Sequence, residues 1–145
     1  MIRAAGVSLF ILALFCATAG PAQADRVRLE RLNIMFEGNE SGAAFIRHCM
    51  KGKPAKATAT FVKNNILATE ALLHEMQAEY PALSNDQAIE TLVRRQDELK
   101  RPLDDFYSKN GCKTKQAVAA QKHFKMFNEW PEGKMQAFLK NIENE

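Results

Sequence analysis

The stretch AKATATFVKNNILATEALLHEMQAEY, residues 55–80, decides the fold. Within it Val62, Ile66, Thr69, Leu73, Met76 and Tyr80 step by 4, 3, 4, 3 and 4. That spacing places one apolar stripe along a single helix. Phe61 and Leu72 widen the stripe. Pro81 ends it, because a residue before proline is pushed out of helical geometry. A helix of this length needs partners to cover its apolar face.

The neighbouring segments supply them. Downstream, Ser84-Asn85-Asp86-Gln87 has the form of a capping box, in which Ser and Gln satisfy free amides at a helix start. The helix it opens carries Ile89, Val93, Gln96, Leu99, Leu103 and Phe106. Pro102 lies inside that pattern and predicts a kink or a fresh start. Asn110-Gly111 is a helix stop. Thr114 then caps a helix with the stripe Val118, Gln121, Phe124 and Phe127, which ends at Trp130-Pro131. A last short helix offers Met135, Phe138, Leu139 and Ile142. Upstream, a helix is predicted from about Arg26 to Phe36, broken at Gly38-Asn39. A second short helix starts near Ser41, carries Phe45, Ile46 and Cys49, and ends at Gly52-Lys53-Pro54. Only 7 Gly and 5 Pro occur in 145 residues, and no alternating strand pattern is present. The fold class is therefore all-α: a small bundle of about four to six helices with one disulfide.

The disulfide rests on the N-terminus. Met1–Ala24 has one basic residue, Arg3, then an apolar run over Val7–Ala19. It closes on Ala22-Gln23-Ala24, a small-x-small site. This is the pattern of a cleaved secretory signal peptide. The apolar run is about 13 residues, short of the roughly 20 needed to span a bilayer. Phe15 before Cys16 does not suit a lipid-attachment site. The expected organisation is a signal peptide over 1–24 and one helical domain over 25–145, periplasmic or secreted. Cleavage removes Cys16 and leaves Cys49 and Cys112. In an exported chain such a pair is most simply one disulfide, with free thiols and metal ligation as the alternatives.

Removing Arg3 lowers the formal charge from +3 to +2. The distribution carries more information than the total. From Ser41 to Thr69 no acidic residue occurs, while Arg47, Lys51, Lys53, Lys56 and Lys63 do. From Phe106 to Asn128 there is again none, with Lys109, Lys113, Lys115, Lys122 and Lys125. Between them, Glu70–Asp105 holds nine acids and four bases. Each basic stretch contains one cysteine, so a Cys49–Cys112 bridge would bring the stretches together, with His48 and His123 nearby. A partner-binding basic face of Arg47, Lys51, Lys53, Lys56, Lys113, Lys115 and Lys122 follows. The alternative is a set of lysines that only confer solubility. The lysine stretches lack the aromatic interleaving of a nucleic-acid groove. An anionic envelope component or a protein partner fits better, with no stable membrane anchor.

Chemistry-bearing motifs are scarce. There is no nucleophile elbow, P-loop, Rossmann glycine pattern or H-E-x-x-H, so the chain reads as a non-enzyme. Asp97-Glu98 and Asp104-Asp105 are adjacent acids that diverge on a helix, and with Arg94-Arg95 and Lys100-Arg101 they read as a solvated face. Each His has a nearby Met, but only His123 and Met126 are spaced to share a helix face. Met35, Met76 and Met135 fall on core stripes. Trp130 with Phe124 and Phe127 reads as a core contact. No metal or cofactor is expected.

The segment Gly42-Ala43-Ala44-Phe45-Ile46-Arg47-His48-Cys49 resembles the stretch ending at the first cysteine of the secretin pilotins, which bind a helical tail of a channel subunit. The single-disulfide helical plan is similar to that of the small acid-stress chaperones of the periplasm. A Met near the mature N-terminus with a His near the C-terminus resembles helical cytochromes that hold haem non-covalently. No residue role is carried over from any of them. The functional expectation is an exported helical binding or adaptor protein whose basic face contacts an anionic or amphipathic partner. The alternatives are a stress chaperone or inhibitor of unfolded or toxic proteins, and a haem or copper carrier.

Overall fold

The computed structural model describes the backbone of residues 21–142 and side chains from Arg26 to Ile142. Most of the signal segment, with Cys16, lies outside the described residues. The proposed cleavage boundary falls in the first turn of the first helix. Five α-helices are present: α1 (Pro21–Cys49), α2 (Ala59–Glu79), α3 (Asn85–Asn110), α4 (Lys115–Glu129) and α5 (Glu132–Lys140). A short 3-10 turn, Ala55–Ala57, precedes α2. No strand occurs among the described residues. No described helix is long and apolar enough to cross a membrane.

Helix α1 is the centre of the bundle and packs against α2, α3 and α4. Arg28 near its start meets Glu75 near the end of α2, so these helices are antiparallel. Asn33 meets Arg95 and His48 meets Asp104, so α3 runs in the same direction as α1. Helix α4 starts beside the end of α1 and returns along it, where His123 reaches Asn39. Leu32, Phe61, Leu72, Phe127 and Met135 are at most 1% exposed and form the centre of the core. Burying each contributes on the order of 1.5–3 kcal/mol.

Two expectations from the sequence are corrected. First, Gly38-Asn39 does not break the helix; α1 is continuous from Pro21 to Cys49. The two glycines are packing positions. A Cβ on Gly38 would lie 2.6 Å from His123 Cε1, and one on Gly42 would lie 2.9 Å from Phe61 Cζ. Gly38 and Gly42 are four residues apart, on one face. Their missing side chains let α4 and α2 approach α1 closely. That packing offsets the roughly 1 kcal/mol that each helical glycine costs.

Second, the buried face of α2 is rotated by one residue from the apolar stripe. The structure buries Phe61, Asn64, Ala68, Leu72 and Glu75. Val62 and Ile66 are more than half exposed. The cause is polar. Asn64 donates to the carbonyls of Phe127 and Trp130 at 2.6 and 2.9 Å, closing the end of α4. Glu75 accepts from Arg28 at 2.7 Å. These three bonds make inward positions of residues that hydropathy places outside. Helix α3 shows the same offset: Ala88 and Leu92 are buried, while Ile89 and Val93 are exposed.

The helix ends follow the sequence. Ser84 and Gln87 form the reciprocal capping box. Gly111 takes φ +68° after α3, a conformation glycine adopts without a Cβ clash. The Thr114 hydroxyl accepts from the Ala117 amide at 3.1 Å. Pro102 sits inside one continuous α3 and does not restart it. Trp130 stacks on Phe127 at 5.6 Å and meets Phe138 edge-on at 5.1 Å, a core contact.

Candidate interaction surface at the bridged end

Cys49 and Cys112 form the disulfide, with Cα atoms 5.8 Å apart. It joins the last residue of α1 to the turn between α3 and α4. Lys51 and Lys53 follow Cys49 directly; Lys109, Lys113 and Lys115 flank Cys112. All five are exposed. With consecutive Cα atoms about 3.8 Å apart, chain connectivity alone holds the backbones of Lys51 and Lys113 within about 20 Å of each other. Among the described residues no carboxylate pairs with any of the five.

The remaining members of the expected face divide. Lys56 is exposed in the 3-10 turn, seven residues beyond Cys49. Lys122 is exposed on α4, seven residues after Lys115 and so on the same helix face. Arg47 is engaged within the fold: its guanidinium donates to Asp104 Oδ1 at 2.9 and 3.3 Å. Lys63 pairs with Glu132 and is likewise engaged. His123 does not join the bridged end. It lies against Gly38 and Asn39, about three turns of α1 from Cys49.

The other end of the bundle carries both signs of charge, with Arg26 and Arg28 of α1 beside the end of α2. Glu79, Asp86 and Glu90 flank the turn between α2 and α3. With 26 residues, α3 separates that turn from the bridge by about 39 Å.

The seam between α1 and α3 engages groups that the sequence pattern places on a solvated face. Asp104 accepts from Arg47 and from His48 Nε2–H, the latter at 2.8 Å. The His48 bond, with Arg47 adding to it, holds the Asp104 carboxyl below the usual aspartate range against a smaller opposing effect of burial. Arg95 donates to Asn33 Oδ1 at 2.9 Å and also to Glu37. Gln96 donates to Glu40 Oε1 at 2.7 Å. Burial raises the Glu40 carboxyl above its ordinary value, and Gln96, Arg47 and Lys100 only partly oppose that. Asp104, Arg95 and Glu40 thus hold the two helices together, a role that no local pattern announces. Arg95 and Asp104 lie nine residues apart on α3, and their match to partners on parallel α1 is legible only once α1 is known to be unbroken.

No set of three His, Cys, Asp or Glu among the described residues is placed to hold a metal ion. His123, Met35 and Met126 do line one apolar cavity of about 290 Å³, with Phe138 and Ile142. The ring's Nε2–H is committed to Asn39 Oδ1 at 2.8 Å. His48/Met50 and His74/Met76 share no cavity with it.

No protein-family model, curated protein or solved structure matches this chain. The resemblances noted from sequence therefore add nothing to the reading of the surface, which rests on geometry and charge.

Proposed function

We propose that the chain is an exported, non-enzymatic binding or adaptor protein whose lysine-rich bridged end contacts an acidic protein partner. The observation that carries this reading is the convergence of Lys51, Lys53, Lys113 and Lys115 around the disulfide, exposed and without carboxylate partners. Unpaired like charges repel one another and add nothing to the fold. A surface that keeps them together gains from a partner that neutralises them. Complementary fields also raise association rates by about 10- to 1000-fold. Val118, 41% exposed between Lys115 and Lys122 on α4, gives the surface an apolar contact point.

The test uses a photo-crosslinking residue at position 51 or 113, with a control at Glu90 near the start of α3. The native extracytoplasmic fraction is the source of partner. A discrete adduct at 51 and 113, absent at 90, is expected. Equal labelling at all three positions would sink the proposal.

A second reading has its own support. Val62 and Ile66 lie one turn apart on α2, and Ile89 and Val93 one turn apart on α3; all four are at least 43% exposed. Such side chains suit a chaperone that holds unfolded clients. Replacing Val62 and Ile66 with Lys would then abolish protection of an aggregating client. The lysine-end reading expects no change.

A further inference from the structure

The two halves of the Cys49–Cys112 bridge differ. Cys49 closes α1, is half-buried and packs against the core. Cys112 is exposed, in the turn between α3 and α4. The chain beside each cysteine passes through an open glycine. Gly52 and Gly111 take φ +78° and +68°, and a Cβ added at either would meet nothing within 4 Å.

The charge around the bridge is of one sign. Lys51, Lys53, Lys109, Lys113 and Lys115 are exposed and carry no carboxylate partner among the described residues. The covalent bond keeps Lys51 and Lys53 near Lys113 and Lys115, although these like charges repel. Opening the bridge relieves that repulsion, and the cations stabilise the thiolate that forms. Disulfides with an exposed sulfur are the labile ones, whereas structural bridges of exported proteins ordinarily resist reduction. The same cations draw in an anionic reagent and hold off a cationic one.

We infer that Cys112 is a thiol–disulfide exchange site selective for small acidic thiols. The incoming thiolate attacks Cys112 Sγ. A mixed disulfide forms there, the Cys49–Cys112 bond breaks, and Cys49 Sγ leaves as a thiolate that takes up the proton lost by the reagent. A second molecule of the thiol attacks the reagent's sulfur in that mixed disulfide. Cys112 is released as a thiol and the reagent as its own disulfide, so two thiols give two electrons to the bridge. Opening parts Lys51 and Lys53 from Lys113 and Lys115 and so lowers partner capture. That consequence rests on the contact surface proposed above; the exchange itself does not.

Glutathione, which is net anionic, and cysteamine, which is cationic, are the probes. Each is added to the oxidised protein at an ionic strength of about 0.1 M, where a charge is felt over about 10 Å. Acid-quenched samples are mapped by mass spectrometry, and rates are compared per thiolate. Glutathione should open the bridge about tenfold faster than cysteamine, with its first adduct on Cys112. Replacing Lys51, Lys53, Lys113 and Lys115 with Gln should remove most of that preference. Replacing the exposed Arg26, Arg94, Lys100 and Lys140 with Gln changes the net charge equally and should leave the preference within about twofold. All eight are surface positions, so both variants should fold. The inference is overturned if the two thiols open the wild-type bridge equally fast, if the first adduct forms on Cys49, or if both sets of substitutions lower the preference alike. Partner capture is not read in this experiment, so a failure of the contact surface would leave its result unchanged.

Discussion

The α1–α3 seam and the bridged end are both rich in charge, yet they use it in opposite ways. In the seam, Arg47 and Arg95 each meet a carboxylate, and Asp104 takes two donors. At the bridged end, Lys51, Lys53, Lys113 and Lys115 meet none among the described residues. Charge in the seam sets how one helix lies on another. Charge at the bridged end plays no such part in packing, and the proposed contact surface is built from it. Arginine suits the first role because its planar fork can hold a carboxylate in fixed geometry, whereas lysine is a hydrated point charge on a flexible stem.

The largest effect should come from the one element that serves both regions. Replacing Cys49 and Cys112 with Ser should lower unfolding free energy by about 4 kcal/mol, read by denaturant titration. It should also weaken partner capture, because the two lysine pairs are no longer tethered. Arg28→Ala comes next. It leaves the Glu75 carboxylate buried without its cation, and a loss of about 3 kcal/mol is expected with capture unchanged. A smaller loss, about 1 kcal/mol, is expected for Asp104→Asn, whose carboxylate is one-third exposed. Its lowered folded pKa means that this contribution is present above the ordinary value of 3.8 and lost as pH falls through the folded value. The variant should therefore lose less stability than wild type over that acid range.

His123 separates the regions by pH. Its folded pKa lies below 6.5, so the unfolded chain binds the extra proton first. Stability should fall as pH drops from 6.5 towards the folded value, by at most about 1.4 kcal/mol per pH unit. Glu40 acts in the other direction: with its folded pKa raised above 4.5, its contribution is lost as pH rises through that folded value. Thermal melts of wild type and His123→Gln isolate the first term, and the variant should show a flatter slope just below pH 6.5.

Much of this architecture is legible in the amino-acid sequence. The caps at Ser84 and Thr114, the stop at Gly111 and the bridged cysteines all depend on local chemistry or on a single possible pairing. What the sequence hid was tertiary. Gly38 and Gly42 look like helix breakers until Phe61 and His123 are seen against them. Asn64 and Glu75 look like surface residues until their partners Phe127, Trp130 and Arg28 arrive from other helices. Of the basic face, Lys51, Lys53, Lys113 and Lys115 follow from the disulfide. Arg47 does not, because its partner Asp104 is 57 residues away.

The most direct test of the central claim compares two fourfold charge reversals with equal net charge. One replaces Lys51, Lys53, Lys113 and Lys115 with Glu; the other replaces the exposed Arg26, Arg94, Lys100 and Lys140 with Glu. The first should alter folding stability little, since each is a surface change worth within about 0.5 kcal/mol. Retention of partner from the native extracytoplasmic fraction is measured for both. Reversal at the bridged end should slow association at least about tenfold, while the control set stays much closer to wild type. Equal loss in both variants, or full retention by the first, would contradict the assignment of the bridged end as the contact surface.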